Sequence, residues 1–237
     1  MRKFLITMAA IFALTVYERS AMAAAYNWTG LYIGGNAGPS WGRTEADYTI
    51  PQFGVSENST LHPSSVIGGG QLGFNQQVGP WVFSIETDIA GRHGAPDKVL
   101  FGGPPFGDHT DIHAEQNWLG TLRPRAGFAV SDNYLLYVTG GLAYGGLKHK
   151  FSENRPGVAS RSVSESETAT GWTAGGGVEY AFADRWSAGI EYLYVDLGTS
   201  TISMPTQIIN NVLFGHSSTK FDDRSHVFRA KLNFKFW

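Results

Sequence analysis

Eight antiparallel strands running up and down around a closed, membrane-spanning barrel form the all-β fold this sequence predicts. Three observations carry that expectation. Apolar residues recur with period two in eight segments, the connections between segments alternate between very short and very long, and charges gather on one face of the segments while aromatics gather on the other.

Composition sets the frame. The 237 residues include 30 glycines and no cysteine, with 14% aromatic and only 16% charged residues. A soluble domain carries about 7% glycine and about 25% charge. Disorder demands few aromatics and high net charge, collagen a strict glycine period, and a disulfide-stapled module needs cysteines, so those classes are excluded. A helical membrane protein needs runs of about 20 apolar residues, and its apolar content would not be dispersed as it is here.

At the N-terminus Arg2 and Lys3 precede an apolar stretch over residues 4–17, and Ala21-Met22-Ala23 supplies the small-x-small pattern cut by signal peptidase. The expectation is a signal peptide over 1–23, cleaved after Ala21 and Ala23 have been recognised, and one barrel domain over 24–237. Losing Arg2, Lys3, Glu18 and Arg19 from the 18 basic and 20 acidic residues leaves a net charge near −4. No basic stripe suggests nucleic acid. The lack of cysteine suits an exported bacterial envelope protein that avoids periplasmic oxidation.

The strand segments lie at 30–41, 66–78, 81–90, 117–130, 134–145, 171–182, 186–196 and 226–236. Between them are short connections at 79–80, 131–133 and 183–185, and long ones at 42–65, 91–116, 146–170 and 197–225. Structureless connections of that length are unusual in a compact soluble domain. Outer-membrane barrels have them, with short periplasmic turns and long extracellular loops. On one face lie Ile33, Leu72, Phe83, Ile85, Leu122, Phe128, Leu136, Trp172, Ile190, Phe228 and their like, with no charge among them. The other face holds Glu86, Asp88, Arg123, Arg125, Glu179, Glu191, Arg229, Lys231 and Lys235. A soluble sandwich would scatter such charges over its wet faces. Here they nearly cancel, which predicts a narrow interior packed by an ionic network.

Tryptophan and tyrosine fall at strand ends: Trp28, Trp81, Trp186, Trp237 and Tyr134 near short turns or termini, and Trp41, Trp118, Trp172, Tyr144 and Tyr194 near long loops. Two interfacial girdles are expected, where a ring has one apolar and one wet neighbour. Pairing outward from the short turns puts Glu86 opposite Gly73, Arg123 opposite Gly141, Tyr137 opposite Gly127, Glu179 opposite Gly189 and Glu191 opposite Gly177. Asp88 with Gln71 and Arg125 with Thr139 fit this pattern of large against small less well. A narrow barrel would need such glycines to make room.

Residues 27–38 (NWTGLYIGGNAG), 137–145 (YVTGGLAYG), 189–194 (GIEYLY) and the last strand, 228–236 (FRAKLNFKF), resemble the small outer-membrane immunogenic or porin-like barrel proteins of alphaproteobacteria. The resemblance covers essentially the whole mature chain. It implies an eight-stranded, OmpA-type barrel, exported through the periplasm to the cell outer membrane and inserted by the assembly machinery that reads an aromatic-ended last strand. Phe234, Phe236 and Trp237 are the candidates for that signal, and Trp237 departs from the pattern because it falls out of phase with the apolar face. Pro124 removes a ladder donor from a sheet without edges, and a bulge near the loop side of its strand is expected to accommodate it.

Other motifs read more simply. Residues 68–73 match G-x-G-x-x-G, with Asp88 about 20 residues beyond the start, but that fingerprint must open a helix and these residues keep period two. Asp108, His109, Asp111 and His113 could hold a divalent metal, yet they read better as a polar loop. Some members of the resembled family bind haem at the surface, which would make His62, His93, His149 and His216 the axial candidates. Asn27 and Asn58 carry glycosylation-like contexts without weight in a bacterial outer membrane. The loops offer serines, histidines and acids but no spacing that selects a catalytic constellation. The expected role is a structural, surface-presenting barrel without enzyme activity or cofactor, in contact with outer-membrane lipid and lipopolysaccharide, its oligomeric state open. A porin-like channel for small solutes, or loop-mediated binding of haem or a host surface, is the alternative.

Overall fold

Residues 26–50, 54–94, 97–103, 108–155, 159–209, 212–214 and 216–236 are described by the computed structural model. Eight long strands close on one another: β1 (Gly30–Ile50), β3 (Ser64–Val78), β4 (Trp81–Gly94), β6 (Asp108–Ser131), β7 (Tyr134–Arg155), β8 (Ala159–Ala183), β9 (Trp186–Met204) and β12 (Ser217–Lys235). Each pairs antiparallel with the next, and β12 returns to β1, with Ile33 opposite Phe234 and Ala37 opposite Ala230. Closure leaves the wall without an edge, so every strand can satisfy its backbone groups inside the sheet, as hydrocarbon surroundings demand. Among the described residues no helix is long and apolar enough to cross a membrane; the crossing is made by strands.

Three tight turns join the strands at one end. Val78 faces Trp81 across Gly79-Pro80, Ser131 faces Tyr134, and Ala183 faces Trp186. The second and third turns are two-residue reversals at Asp132-Asn133 and Asp184-Arg185, one residue shorter than the sequence suggests, because Ser131 and Ala183 still pair.

The long connections differ more from expectation, since they continue the wall as hydrogen-bonded ribbon. β7 and β8 stay paired out to Arg155 opposite Ala159. β2 (Val55–Leu61) folds back on β1, β5 (Asp97–Gly103) pairs with β6, and β10 (Gln207–Ile209) with β11 (Val212–Phe214) makes a separate hairpin. Pairing gives these backbones partners that a coil would have to find in water.

Pro124 needs no bulge. It stands opposite Ile85 in unbroken register with β4. Toward β7 the register resumes unchanged, from Leu122 opposite Leu142 to Arg125 opposite Thr139, and the Thr139 hydroxyl donates to the Pro124 carbonyl at 3.0 Å. The irregularities of that pair lie elsewhere, between Gln116 and Trp118 and between Ala129 and Ser131.

The two faces of the wall sort cleanly. Ile33, Leu72, Phe83, Ile85, Ile89, Leu122, Leu136, Leu142, Trp172, Ile190 and Phe228 are each at least two-fifths exposed and point away from the axis. Aromatic pairs mark both ends of this band: Trp81 with Phe128 and Trp186 with Phe234 by the short turns, Trp118 with Tyr144 and Trp172 with Tyr194 on the other side. Exposed apolar surface on this scale is stable only against lipid.

Candidate functional site

The barrel interior is where the polar chemistry collects, and it is layered along the axis. In the middle lies the ionic layer. Glu86, fully buried on β4, accepts from Arg123 at 2.7 Å, from Arg125 at 2.8 Å, from Lys231 at 2.7 Å and from the Tyr32 hydroxyl at 2.6 Å. Asp88 accepts from Thr121 at 2.6 Å, Arg123 at 2.8 Å and Arg229 at 2.9 Å. Glu191 accepts from Arg229 at 2.7 Å and from the Tyr137 hydroxyl at 3.0 Å, with Arg123 at 3.2 Å. Glu179 accepts from Arg125 at 2.5 Å, and the Arg125 guanidinium lies 3.8 Å from the Tyr137 ring centroid. Of the nine inward charges named from the sequence, eight meet in this layer. Lys235 does not join it; it sits at the short-turn end, where its ammonium lies 4.1 Å from the Tyr26 ring centroid and donates to the Asn27 carbonyl.

Four carboxylates face four cations, so the layer is neutral, and its bonds run across the barrel as well as between neighbouring strands: Glu86 on β4 meets Lys231 on β12. Burying charges costs several kcal/mol per ion, so only a closed set of pairs is tolerable, and removing one partner leaves a buried charge exposed to the full penalty.

Room for these side chains comes from inward glycines. A Cβ at Gly73, opposite Glu86, would lie 2.3 Å from the Tyr32 hydroxyl oxygen, and one at Gly177, opposite Glu191, would lie 2.6 Å from that of Tyr137. Both hydroxyls belong to the network, so the glycines are conditions for it.

Apolar layers sit above and below. Toward the long loops, Ile67, Ala90, Leu119, Ala143, Leu147, Leu193, Val195, Leu197 and Val227 form one buried inward cluster. Toward the short turns, Trp28, Val82, Leu135, Tyr137 and Ala181 form another, with Tyr26 and Ala129 packed against it. Trp28 therefore corrects the girdle expected at that end: it is 2% exposed and lies within the barrel mouth. The chain enters β1 through Gly30, whose φ of 146° suits glycine and turns residues 26–29 inward. The Tyr26 amide donates to the Asp132 carbonyl and the Trp28 amide to the Gln77 side chain, which fixes the segment across the opening. Tyr26 meets Trp28 edge to face at 4.8 Å. Tyr26 lies outside the spanning strands; burial, with the carboxylates of Glu179 and Asp184 in range, pushes its phenol up to about 12.

The upper apolar layer was not legible as a site in the sequence, although a signal was present. From Ile190 to Leu197 outward Tyr192 and Tyr194 alternate with inward Leu193 and Val195, so beyond Glu191 both faces of the strand are apolar.

The remaining candidates fall as follows. Ala21, Ala23 and Trp237 lie outside the described residues, as does the whole signal segment 1–23. Residues 68–73 are strand, which removes the dinucleotide-binding reading. Residues 108–113 belong to β6. Among the described residues no group of three or more histidines and acids could hold a metal ion. Phe234, near the end of the last strand, and Phe236, just beyond it, have their rings 5.6 Å apart, edge to face, and the Phe236 amide donates to the Leu31 carbonyl.

A family model described as an outer membrane protein beta-barrel domain matches residues 6–236. The 31 kDa outer-membrane immunogenic protein of Brucella melitensis is 33% identical over 250 residues, 98% of this chain and 98% of that protein. The 22 kDa outer membrane protein of Rhizobium leguminosarum is 31% identical, over 76% of this chain and 69% of that one. Among solved structures, the outer membrane protein OprG of Pseudomonas aeruginosa aligns over 90% of this chain and all of its own with a TM-score of 0.48 at 11% identity.

Proposed function

The chain belongs to the outer membrane β-barrel protein family, and from that premise we propose that it is a sealed structural barrel that strengthens the envelope and displays its long loops outside the cell. The observation that carries this reading is the layered interior. A neutral network with cations and carboxylates bonded to one another lies between two layers of buried, largely apolar side chains, so the interior of the eight-stranded barrel is filled by its own side chains.

Several steps follow from the same premise. Residues 1–23 direct export and are removed at the site formed by Ala21 and Ala23. The assembly machinery reads the aromatic end of the last strand, Phe234 and Phe236 with Trp237. Phe236 continues the outward phase of Phe234 and Leu232, which favours it as the position recognised. Brucella relatives are named as outer-membrane immunogenic proteins, and display of its own long loops would make this chain a surface antigen. We assign it no catalytic step: the four carboxylates of the ionic layer, Glu86, Asp88, Glu179 and Glu191, are committed to cations.

The test is liposome swelling with the refolded mature protein and a series of small sugars and amino acids. The proposal expects swelling no faster than protein-free vesicles. Rapid swelling that falls with solute size would favour the porin-like alternative instead. Lipid or peptide hydrolysis lost on substitution of a single loop serine or histidine would overturn the non-enzymatic reading.

A further inference from the structure

We propose that the outer mouth of the barrel binds an extended peptide by strand addition, along the free edge of β8 and beside the exposed carboxylate of Glu167. The site exists because the wall stops being a closed sheet outside the membrane. Beyond the aromatic row it divides into two four-stranded blades, one of β2, β1, β12 and β9 and one of β5, β6, β7 and β8. The two seams between the blades lie on opposite sides of the mouth. At one, β3 and β4 pair for the last time at Ser65 opposite Gly94, and β2 and β5 then come within 8 Å of each other without forming a ladder. At the other, the last rung between β8 and β9 is Trp172 opposite Asp196.

The second seam is written into the chain. Gly198 takes a φ of 76°, a conformation suited to glycine, and its amide donates to the Asp196 carboxylate at 2.9 Å, so β9 turns off its path just past the last rung. Farther out, among the described residues, β9 pairs with β12 alone and β8 from Ala159 to Thr170 pairs with β7 alone. The edge of β8 turned toward the seam therefore carries backbone donors and acceptors that no described strand covers. Proteins blunt such edges with proline, lysine or a bulge. Residues 159–170 (ASRSVSESETAT) contain neither proline nor lysine, and their register with β7 runs without a shift. Ser162, Ser164, Ser166 and Thr168 along it are exposed.

A free edge of this kind offers a ladder to the main chain of an added strand, and the neighbouring side chains select its sequence. Glu167 is exposed, stands opposite Leu147 of β7 and makes no ion pair among the described residues. A cation facing it from an added strand would form a favourable cross-strand pair, so the fitting peptide carries lysine or arginine in that row. On the β9 side of the seam the Ser200 hydroxyl is buried without a hydrogen-bond partner among the described residues. A second copy of the barrel in the same membrane does not suit this edge. Barrel strands tilt by about 35–45° from the axis. Rotation about the membrane normal carries β8 into its copy at about twice that angle, so the two edges cross instead of pairing.

The proposal rests on the outward display of the long loops and not on the sealed interior, so channel activity would refute the reading above and leave this one standing. The experiment uses the mature protein refolded into phosphatidylcholine nanodiscs and three fluorescein-labelled octapeptides. One alternates threonine and lysine, one is the same sequence with every backbone amide N-methylated, and one alternates threonine and glutamate. Fluorescence anisotropy reads binding, and a photo-crosslinking copy of the lysine peptide maps the site. The lysine peptide is expected to bind at least about tenfold more tightly than either of the others, since one loses the ladder and the other its charge match. Glu167→Gln should weaken it about threefold, the scale of one cross-strand charge pair, and Glu167→Lys should reverse the preference between the lysine and glutamate peptides. Crosslinks should fall within residues 159–170 or 198–204. No binding of the lysine peptide, binding unchanged by N-methylation, an unreversed preference in Glu167→Lys or crosslinks confined to other strands would overturn the proposal. Crosslinks joining the β8 edges of two copies would overturn it in favour of self-association.

Discussion

Replacing Glu86 by Gln keeps the shape of the side chain and removes one charge from the centre of the ionic layer. Glu86 is fully buried and serves Arg123, Arg125, Lys231 and Tyr32 at 2.6 to 2.8 Å. Removing it leaves four cations facing three carboxylates, and Lys231 keeps Glu191 alone of the layer's carboxylates, at 3.6 Å. Breaking a buried pair from one side costs about 3–5 kcal/mol, because the surviving charge remains buried. Lys231→Met should cost a similar amount for the mirrored reason. The double variant restores neutrality and replaces an ion pair with apolar and amide groups of similar size. Its cost should fall short of the sum by about 1–3 kcal/mol, the range for directly coupled groups. Urea unfolding of the barrel in detergent micelles, followed by tryptophan fluorescence, measures all three. Strict additivity, or a cost below about 1 kcal/mol for Glu86→Gln, would refute the claim that the layer is held together as a closed charge set.

Three further outcomes are expected. Gly177→Ala places a methyl 2.6 Å from the Tyr137 hydroxyl and should cost about 1–3 kcal/mol by overpacking, visible as a lower unfolding midpoint, whereas Ala substitution of Gly91, whose Cβ would meet nothing within 4 Å, should leave the midpoint where it is. Trp28→Ala should destabilise by about 3–5 kcal/mol and make the 26–29 segment accessible to protease added at the short-turn side; persistence of the protected segment would count against the plugged mouth. With its pKa raised to about 12 in the folded protein by burial, Tyr26 contributes stability that is complete below its unfolded value near 10 and is lost as pH rises from there through 12. A stability profile over that range should flatten on Tyr26→Phe, and an unchanged slope would contradict the burial of its phenol.

The eight strands were legible because a membrane barrel imposes the strongest contrast a strand can show, lipid on one side and a packed polar interior on the other. Ile85 and Glu86 are neighbours with opposite surroundings, and that difference is visible in the residues themselves. The inner charges were legible for the same reason, and the glycine partners of Glu86 and Glu191 followed from counting outward from the short turns. Trp28 was not, since an aromatic at a strand end has the same composition whether it faces lipid or turns into the mouth; the turn at Gly30 decides, and φ is not written in the sequence. The upper apolar layer was hidden because Leu193 and Val195 share their strand with outward Tyr192 and Tyr194, so period two disappears where both faces are apolar. The strand extensions beyond the membrane were hidden by the opposite case: over residues 164–168 (SESET) every position is polar, and the alternation carries no contrast. Pro124 was read by the general rule against proline in closed sheets, but its carbonyl found the Thr139 hydroxyl and the register passed through.

The sealed interior is the central claim, and single-channel recording of the refolded mature protein in planar lipid bilayers tests it most directly. The account predicts a flat trace at the baseline of the protein-free membrane, with discrete openings appearing when Leu193→Asp breaks the upper apolar layer together with Trp28→Ala. Stable unitary currents from the unmodified protein would contradict it.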